Sequence, residues 1–247
     1  MLTASILGLN YCRLLTETLS ALEAGALTSE FDYTFAVCYD TCKAPGFETI
    51  QKNACLIDLS NGLDHAFSKF NATSRTHVRR SEKTETLTFR VGIGVEFSAY
   101  FNFYKTCEMA RGWFPVPEEE LCNSLIITAF FNSQPISGMS AYTHDGRMRI
   151  GRIFSLKNKP NDTLLTKQIF GCAAKRIIFE FCQYGVQHDY HTLDLSGIDL
   201  HDPSKAGITQ FKLSLGGKVS PVTIARHANA KFKALASQIR EAGYDIT

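Results

Sequence analysis

The 247-residue chain is short of several features that would place it quickly. It has no apolar run of the ~18 residues that a bilayer-spanning helix needs, so no transmembrane segment is expected. The stretch Met1 to Leu9 is mildly apolar, lacks a basic lead and is soon followed by Arg13, so a signal peptide is not expected and the reading is cytoplasmic. A charge excess is missing too: 26 Lys and Arg against 24 Asp and Glu leave +2, and any anion site must be local. Cys38-x-x-x-Cys42 has no second pair at zinc spacing, and His188 and His191 follow a helix stop at Gly185, so no metal is expected. Gly-x-Ser-x-Gly, the zinc-protease His motif, the P-loop and any internal repeat are all absent.

What remains is ordinary for a globular protein, with 45% apolar and 20% charged residues and a length that can bury a sizeable core. Most of the eight cysteines lie among apolar neighbours, as in Ala54-Cys55-Leu56-Ile57, and read as reduced and buried.

Apolar positions Ile6, Leu9, Leu14, Leu15, Leu19 and Leu22 predict a helix over 5–24 that stops at Gly25. Phe31 to Tyr39 and Ala54 to Leu59 alternate like strands, with a turn at Pro45-Gly46 between them. Ser60 or Asn61 caps a helix toward Lys83, broken near Asn71 to Ser74. After a strand from Thr86 to Val91, a helix over 96–111 ends at Gly112. The single tryptophan, Trp113, opens a stiff loop and serves either the core or a pocket wall. Leu125 to Phe131, Ile136 to Thr143 and Arg147 to Phe154 form an antiparallel meander, its second turn marked by Asp145-Gly146. A long helix from Thr163 to Tyr184 is capped by Asn161 or Asp162, and a strand from Tyr190 to Leu195 follows. A loop, a strand over 218–225 and a C-terminal helix complete the chain. This order predicts an α+β fold: a central mixed sheet with an antiparallel meander, a crossover helix and flanking helices. Tyr190 to Leu195 should pair in parallel with Arg147 to Phe154. The expected division is an N-terminal region, 1–85, and a main domain, 86–247.

Chemistry is sought where the strand Leu193-Asp194-Leu195 ends in Ser196-Gly197, followed by Phe211-Lys212 and Gly216-Gly217. A strand end is a rigid platform, glycines admit a ligand to the backbone and Lys212 supplies a movable charge. The plainer alternative is a strand, a loop and a second strand with an exposed lysine. A second cluster is Arg75, Arg79 and Lys83 at helical spacing, with Arg80 offset. On spacing alone it is a solvated face paired with Glu82 and Glu85.

The Asp-x-x-Gly strand end followed by Phe-Lys-x-x-x-Gly-Gly resembles the C-terminal part of the Fem-type aminoacyltransferases, a branch of the GNAT acyltransferase superfamily. The run Val78-Arg79-Arg80-Ser81-Glu82-Lys83 is similar to that family's basic helix. The resemblance covers about residues 54–220. It implies a cytoplasmic GNAT-type fold that moves an acyl or aminoacyl group onto an amine of a cell-envelope sugar or peptide precursor. Members of that family carry two such domains in tandem, so residues 1–85 would be a truncated first one. Lys212 would stabilise developing negative charge, and Asp194 would orient the amine or merely cap Ser196-Gly197. Phe211, Arg75, Arg79, Arg80, Lys83, Ser196, Gly197, Gly216 and Gly217 would contact substrate. Lys157, Lys159 and Thr163 would meet the donor, although the glycine-rich pyrophosphate loop of acetyl-CoA users is absent. No permanent cofactor is implied; the donor would be aminoacyl-tRNA, engaged at its acceptor end, or acyl-CoA. The acceptor amine would be a small molecule or carried on a lipid or a nucleotide. The rival readings are an acyl-CoA-dependent amino-sugar N-acetyltransferase and a non-catalytic binding module of the same fold. A groove over Ile150 to Phe154 would favour the first, and a Lys212 packed in core side chains would favour the second.

Overall fold

The computed structural model describes residues 1–93, 98–156 and 164–246. Ten strands form one sheet: β1 (Leu2–Ile6), β2 (Leu9–Leu19), β3 (Tyr33–Cys42), β4 (Glu48–Asp58), β5 (Leu87–Ile93), β6 (Leu125–Phe131), β7 (Gln134–His144), β8 (Arg147–Ser155), β9 (Thr192–Ile198) and β10 (Lys218–Ala228). The helices are α1 (Ala21–Glu30), α2 (Leu63–Lys69), α3 (Ala72–Glu82), α4 (Ser98–Met109), α5 (Glu118–Cys122), α6 (Leu164–Gln187), α7 (Ala206–Leu213) and α8 (Ala230–Glu241). The strand order is β1-β2-β3-β10-β4-β9-β8-β7-β6-β5. The mixed sheet, the β6–β7–β8 meander and the parallel β8–β9 pair are as expected. The donor-contact positions Lys157, Lys159 and Thr163 and the caps Asn161 and Asp162 lie outside the described residues.

The order is palindromic about the β4–β10 pair. A hairpin (β1–β2), a helix (α1), a strand (β3) and a departing strand (β4) recur as β7–β8, α6, β9 and β10. Each departing strand pairs with the other unit: β4 runs beside β9, and β10 runs beside β3. Topology repeats here where the sequence shows no repeat. Both hairpins turn on two residues with positive φ, Leu7-Gly8 and Asp145-Gly146, the mirror-image turn that suits strand twist.

Side chains alternate between faces, so the register assigns the layers. Ala225 stands opposite Ala36 and Thr49, on the face that carries Cys55 and Ile57. That face meets both α1 and α6, and its larger core unites Ile177 and Phe181 of α6 with Leu193 and Leu195. The other face carries Leu15, Val37, Val222 and Ile224. Over it, α4 packs on Ile126 and Phe154, and α8 packs on Tyr11 through Phe232 and Ala236.

Four expectations need correcting. The helix over 5–24 is a hairpin followed by α1, because Gly8 turns the chain and Tyr11, Cys12 and Arg13 are all buried in a strand packed on both faces. Helix α1 begins at Ser20, whose hydroxyl accepts from the Glu23 N–H at 3.3 Å while Glu23 accepts from the Ser20 N–H at 2.8 Å. Gly185 does not end the long helix. It lies within α6, where an added Cβ would fall 2.5 Å from Met148 and 2.6 Å from Leu59. Gly62, not Ser60 or Asn61, precedes α2. Finally, Lys212 does not occupy a loop: α7 places it in a helix, buried to 5% exposure.

Candidate functional site

The site is built where β8 and β9 part. Their parallel pairing covers only Arg147↔Thr192, Met148↔Leu193 and Arg149↔Asp194. Each strand carries an extra residue just past that point. Against β7, Arg152 pairs with Ser140 and Ile150 with Ala141, so Gly151 bulges; an added Cβ there would stand 3.2 Å from Tyr142. Against β4, Gly197 pairs with Ala54 and Asp194 with Leu56, so β9 bulges through Leu195 and Ser196, the latter at φ 69°.

Side chains hold the fork open. Buried Asp194 accepts from Arg149, from Tyr39 Oη at 2.7 Å and from the Ser196 N–H at 2.6 Å. Ser196 Oγ donates across the gap to the Ile150 carbonyl. Arg111 Nη1 donates to the Ile153 carbonyl at 2.5 Å. Two carbonyls on the edge of β8 that pairing leaves open are thus partnered by side chains.

The fork opens on the face opposite α1 and α6 into a cavity of about 800 Å³. That lies within the ordinary range for small-molecule sites. Its wall includes β8 from Arg149 to Ile153, Ser196, Trp113, Tyr33 and Phe35, and the face of α8 bearing Lys233, Ser237 and Arg240. Seven cationic side chains line it against two carboxylates, Glu48 and Glu108. The inner cations are neutralised. Arg13 Nε lies 3.1 Å from Glu120, and Arg152 lies 3.9 Å from Glu108 and 4.0 Å from Glu120. Burial alone would lift the Glu120 carboxyl, but Arg13 and Arg152 outweigh it and hold it below its ordinary range. Glu108 comes out the other way: burial raises its carboxyl, and Arg152 and Arg111 offset this only in part.

The residues expected from sequence divide between the two faces. Asp194 and Ser196 stand at the fork. Lys212 reaches it from α7, with Nζ donating to the Gly197 carbonyl at 2.6 Å, but it does not line the cavity. Burial pushes its ammonium down to about 8, helped by Arg149 and opposed by Asp194 and Cys55. Phe211 packs against the larger core. Gly216, at φ 75°, lies against Lys69, and Gly217 lies against Cys55, so close that a Cβ would stand 2.5 and 2.3 Å from those side chains. The basic helix α3 joins α7: Ser214 O accepts from the Asn71 N–H at 2.9 Å, and the Ser74 and Ser214 hydroxyls lie 3.0 Å apart. Arg75 is spent on the Ser68 and Phe70 carbonyls, and Arg79 lies over Phe67. Arg80 and Lys83 are exposed. Because α3 packs on α6, this cluster is on the face away from the cavity. The cavity's own charged residues were not singled out from sequence. The available signal was Arg149 and Arg152 set among Met148, Ile150, Ile153 and Phe154, a costly arrangement unless partnered.

No protein-family model matches this sequence, and no curated protein matches it either. Solved structures do. FemX superposes with a TM-score of 0.57 at 10% identity, covering 90% of this chain and 82% of FemX. L-PGS from Bacillus licheniformis gives 0.55 at 14% identity, covering 98% and 85%. The C-terminal domain of a protein described as a lysylphosphatidylglycerol synthetase from Agrobacterium fabrum gives 0.52 at 12% identity, covering 85% and 72%. At these identities the likeness is one of fold: the chain shares the architecture of FemX and L-PGS, as the resemblance to the Fem-type enzymes implied.

Proposed function

We propose that the protein is an acyltransferase that moves an acyl or aminoacyl group from an activated ester or thioester onto an amine. The observation that carries this reading is the β8–β9 fork opening into the cavity. The fold shared with FemX and L-PGS supports it by analogy. In the step, the amine nitrogen attacks the carbonyl carbon. The new C–N bond forms, the C–O or C–S bond breaks, and the proton that the amine loses is passed on to the leaving alcohol or thiol. Glu108 is the cavity group suited to take that proton, because a carboxyl raised by burial is the better base. Lys212, charged below pH about 8, faces the fork through Gly197 and would favour negative charge developing there. Asp194 is fully engaged by three donors and would hold the fork's shape. Residues 86–247 would carry the transfer chemistry, and residues 1–85 would add Arg13, Tyr33 and Phe35 to the cavity wall.

The amine would belong to a cell-envelope precursor, carried on a lipid or a nucleotide, and the donor would be an aminoacyl-tRNA. An acyl-CoA donor is the second reading, and the groove along Arg149 to Ile153 favours it. The burial of Lys212 favours a non-catalytic module instead. Among the described residues, no helix is long and apolar enough to cross a membrane.

Mass spectrometry of small ligands that co-purify, followed by transfer assays with the donor found, tests the proposal. Glu108→Gln should lower turnover by about 10²–10⁴-fold. In the wild type, turnover should fall as pH drops through the raised carboxyl range. Undiminished turnover in Glu108→Gln would remove it as the base, and no transfer with either donor class would favour the binding module.

A further inference from the structure

The cavity's cations fall into two sets. Arg13, Arg111, Arg149 and Arg152 each have a carboxylate partner. Arg226, Lys233 and Arg240 form no ion pair among the described residues. They belong to two adjacent elements near the end of the chain. Arg226 is on β10, its guanidinium 5.5 Å over the Phe35 ring, which fixes it along the wall. Lys233, Ser237 and Arg240 follow at helical spacing on α8, so two cations and a hydroxyl share one face. Glu48 is the cross-strand neighbour of Arg226, yet the two make no ion pair. The deep end of the cavity is therefore neutralised from within, and its β10–α8 side holds three cations that form no ion pair among the described residues.

Two guanidinium forks and an ammonium around one concavity suit a phosphate better than a carboxylate, which presents two oxygens and one charge. A concavity of about 800 Å³ has the size of a small-molecule site, too small for a duplex. We infer that Arg226, Lys233 and Arg240 form a phosphate subsite, and that the molecule occupying this cavity carries a phosphate or diphosphate there. Only the word substrate for that molecule rests on the acyltransferase reading.

Trp113 makes the test direct, because the only tryptophan in the chain lines the cavity. Inorganic pyrophosphate is titrated into the full-length protein, with Trp113 fluorescence and calorimetry as readouts. Wild type should bind and the fluorescence should respond. The exposed pair Lys233→Ala with Arg240→Ala should weaken binding by about tenfold for each charge removed, and Arg226→Ala should do the same. Lys233→Glu should weaken it further. The comparison variant, Arg79→Ala with Arg80→Ala on the opposite face, should bind as wild type does. No pyrophosphate binding, binding that survives in the α8 variants, or binding lost only in the α3 variant would each overturn the inference. Pyrophosphate binding that needs the α8 cations, in a protein that transfers no acyl group, would leave the inference standing and sink the acyltransferase reading.

Discussion

The two parallel strand pairs of the sheet are built alike and behave differently. Each follows a two-residue hairpin and is joined by a helix, α1 of 10 residues in one and α6 of 24 in the other. The β2–β3 pair meets an irregularity between Thr16 and Thr18, resumes pairing, and covers eight register partners. The β8–β9 pair stops after three. Both pairs are irregular, so a bulge alone does not open a sheet. At β8–β9, Gly151 and Ser196 bulge away just past the last pair, and polar side chains take over the hydrogen bonds that pairing would have made. In the closed pair, Leu15 and Val37 stand side by side in a core cluster. In the open pair, the same face carries Arg149 and Asp194.

The comparison can be broken most strongly at that ion pair. Arg149→Ala leaves Asp194 buried without its counter-charge and should destabilise by about 3–5 kcal/mol in denaturant unfolding. Thr16→Ala, at the irregular point of the closed pair, should change stability by about 0.5 kcal/mol or less. Equal effects would mean that the fork is not held by its charges.

Lys212→Met separates chemistry from folding. Turnover should drop by about 10²–10³-fold if the ammonium stabilises developing charge. Stability should move the other way. An unfolded lysine titrates near ~10.4, so between pH about 8 and that value the unfolded chain holds more protons and the wild type gains stability as pH rises. The cost of burying the charge is complete below that window and gone above it. Lys212→Met should therefore match or exceed wild type in melting temperature at pH 7, with its advantage vanishing toward pH 10. A variant less stable than wild type at pH 7 would show that the Gly197 hydrogen bond outweighs the burial cost.

Ser196→Ala removes the bridge to the Ile150 carbonyl and should cost about 1 kcal/mol. Faster amide exchange at Gly151 and Arg152, with β2–β3 unchanged, would place the effect at the fork. The smallest effect compares the hairpins. Leu7 holds φ 49° while 71% exposed, where the matching turn has Asp145. Leu7→Asn should raise stability by about 0.5–1 kcal/mol in thermal melts, and no gain would mean that the turn is already relaxed.

The meander and the long helix were legible because Asp145-Gly146 and the spacing from Leu165 to Cys182 are local signals. The first hairpin was not, since Leu-Gly is a weak turn signal and a strand buried on both faces loses its alternation. The Ser20–Glu23 capping box was legible and went unread. Among the expected site residues, Asp194, Ser196 and Lys212 do gather at the fork, whereas Arg75 is turned to the carbonyls that end α2. The charged lining of the cavity comes from four strands, two helices and the turn after α4, all distant in sequence, and no spacing rule joins Arg13 to Glu120 or Arg226 to Arg240.

The placement of β10 between β3 and β4 sets an order of events during synthesis. Strands β3 and β4 emerge from the ribosome early, yet the strand that joins them comes more than 150 residues later in the sequence. Until it arrives, each leaves an edge with unpaired amides and carbonyls in the middle of the future sheet. Closure over so long a separation is slow, and the waiting edges are open to pairing with other chains. Aggregation during expression should therefore depend on the rate at which residues 218–228 are delivered, more than on the stability of the finished molecule.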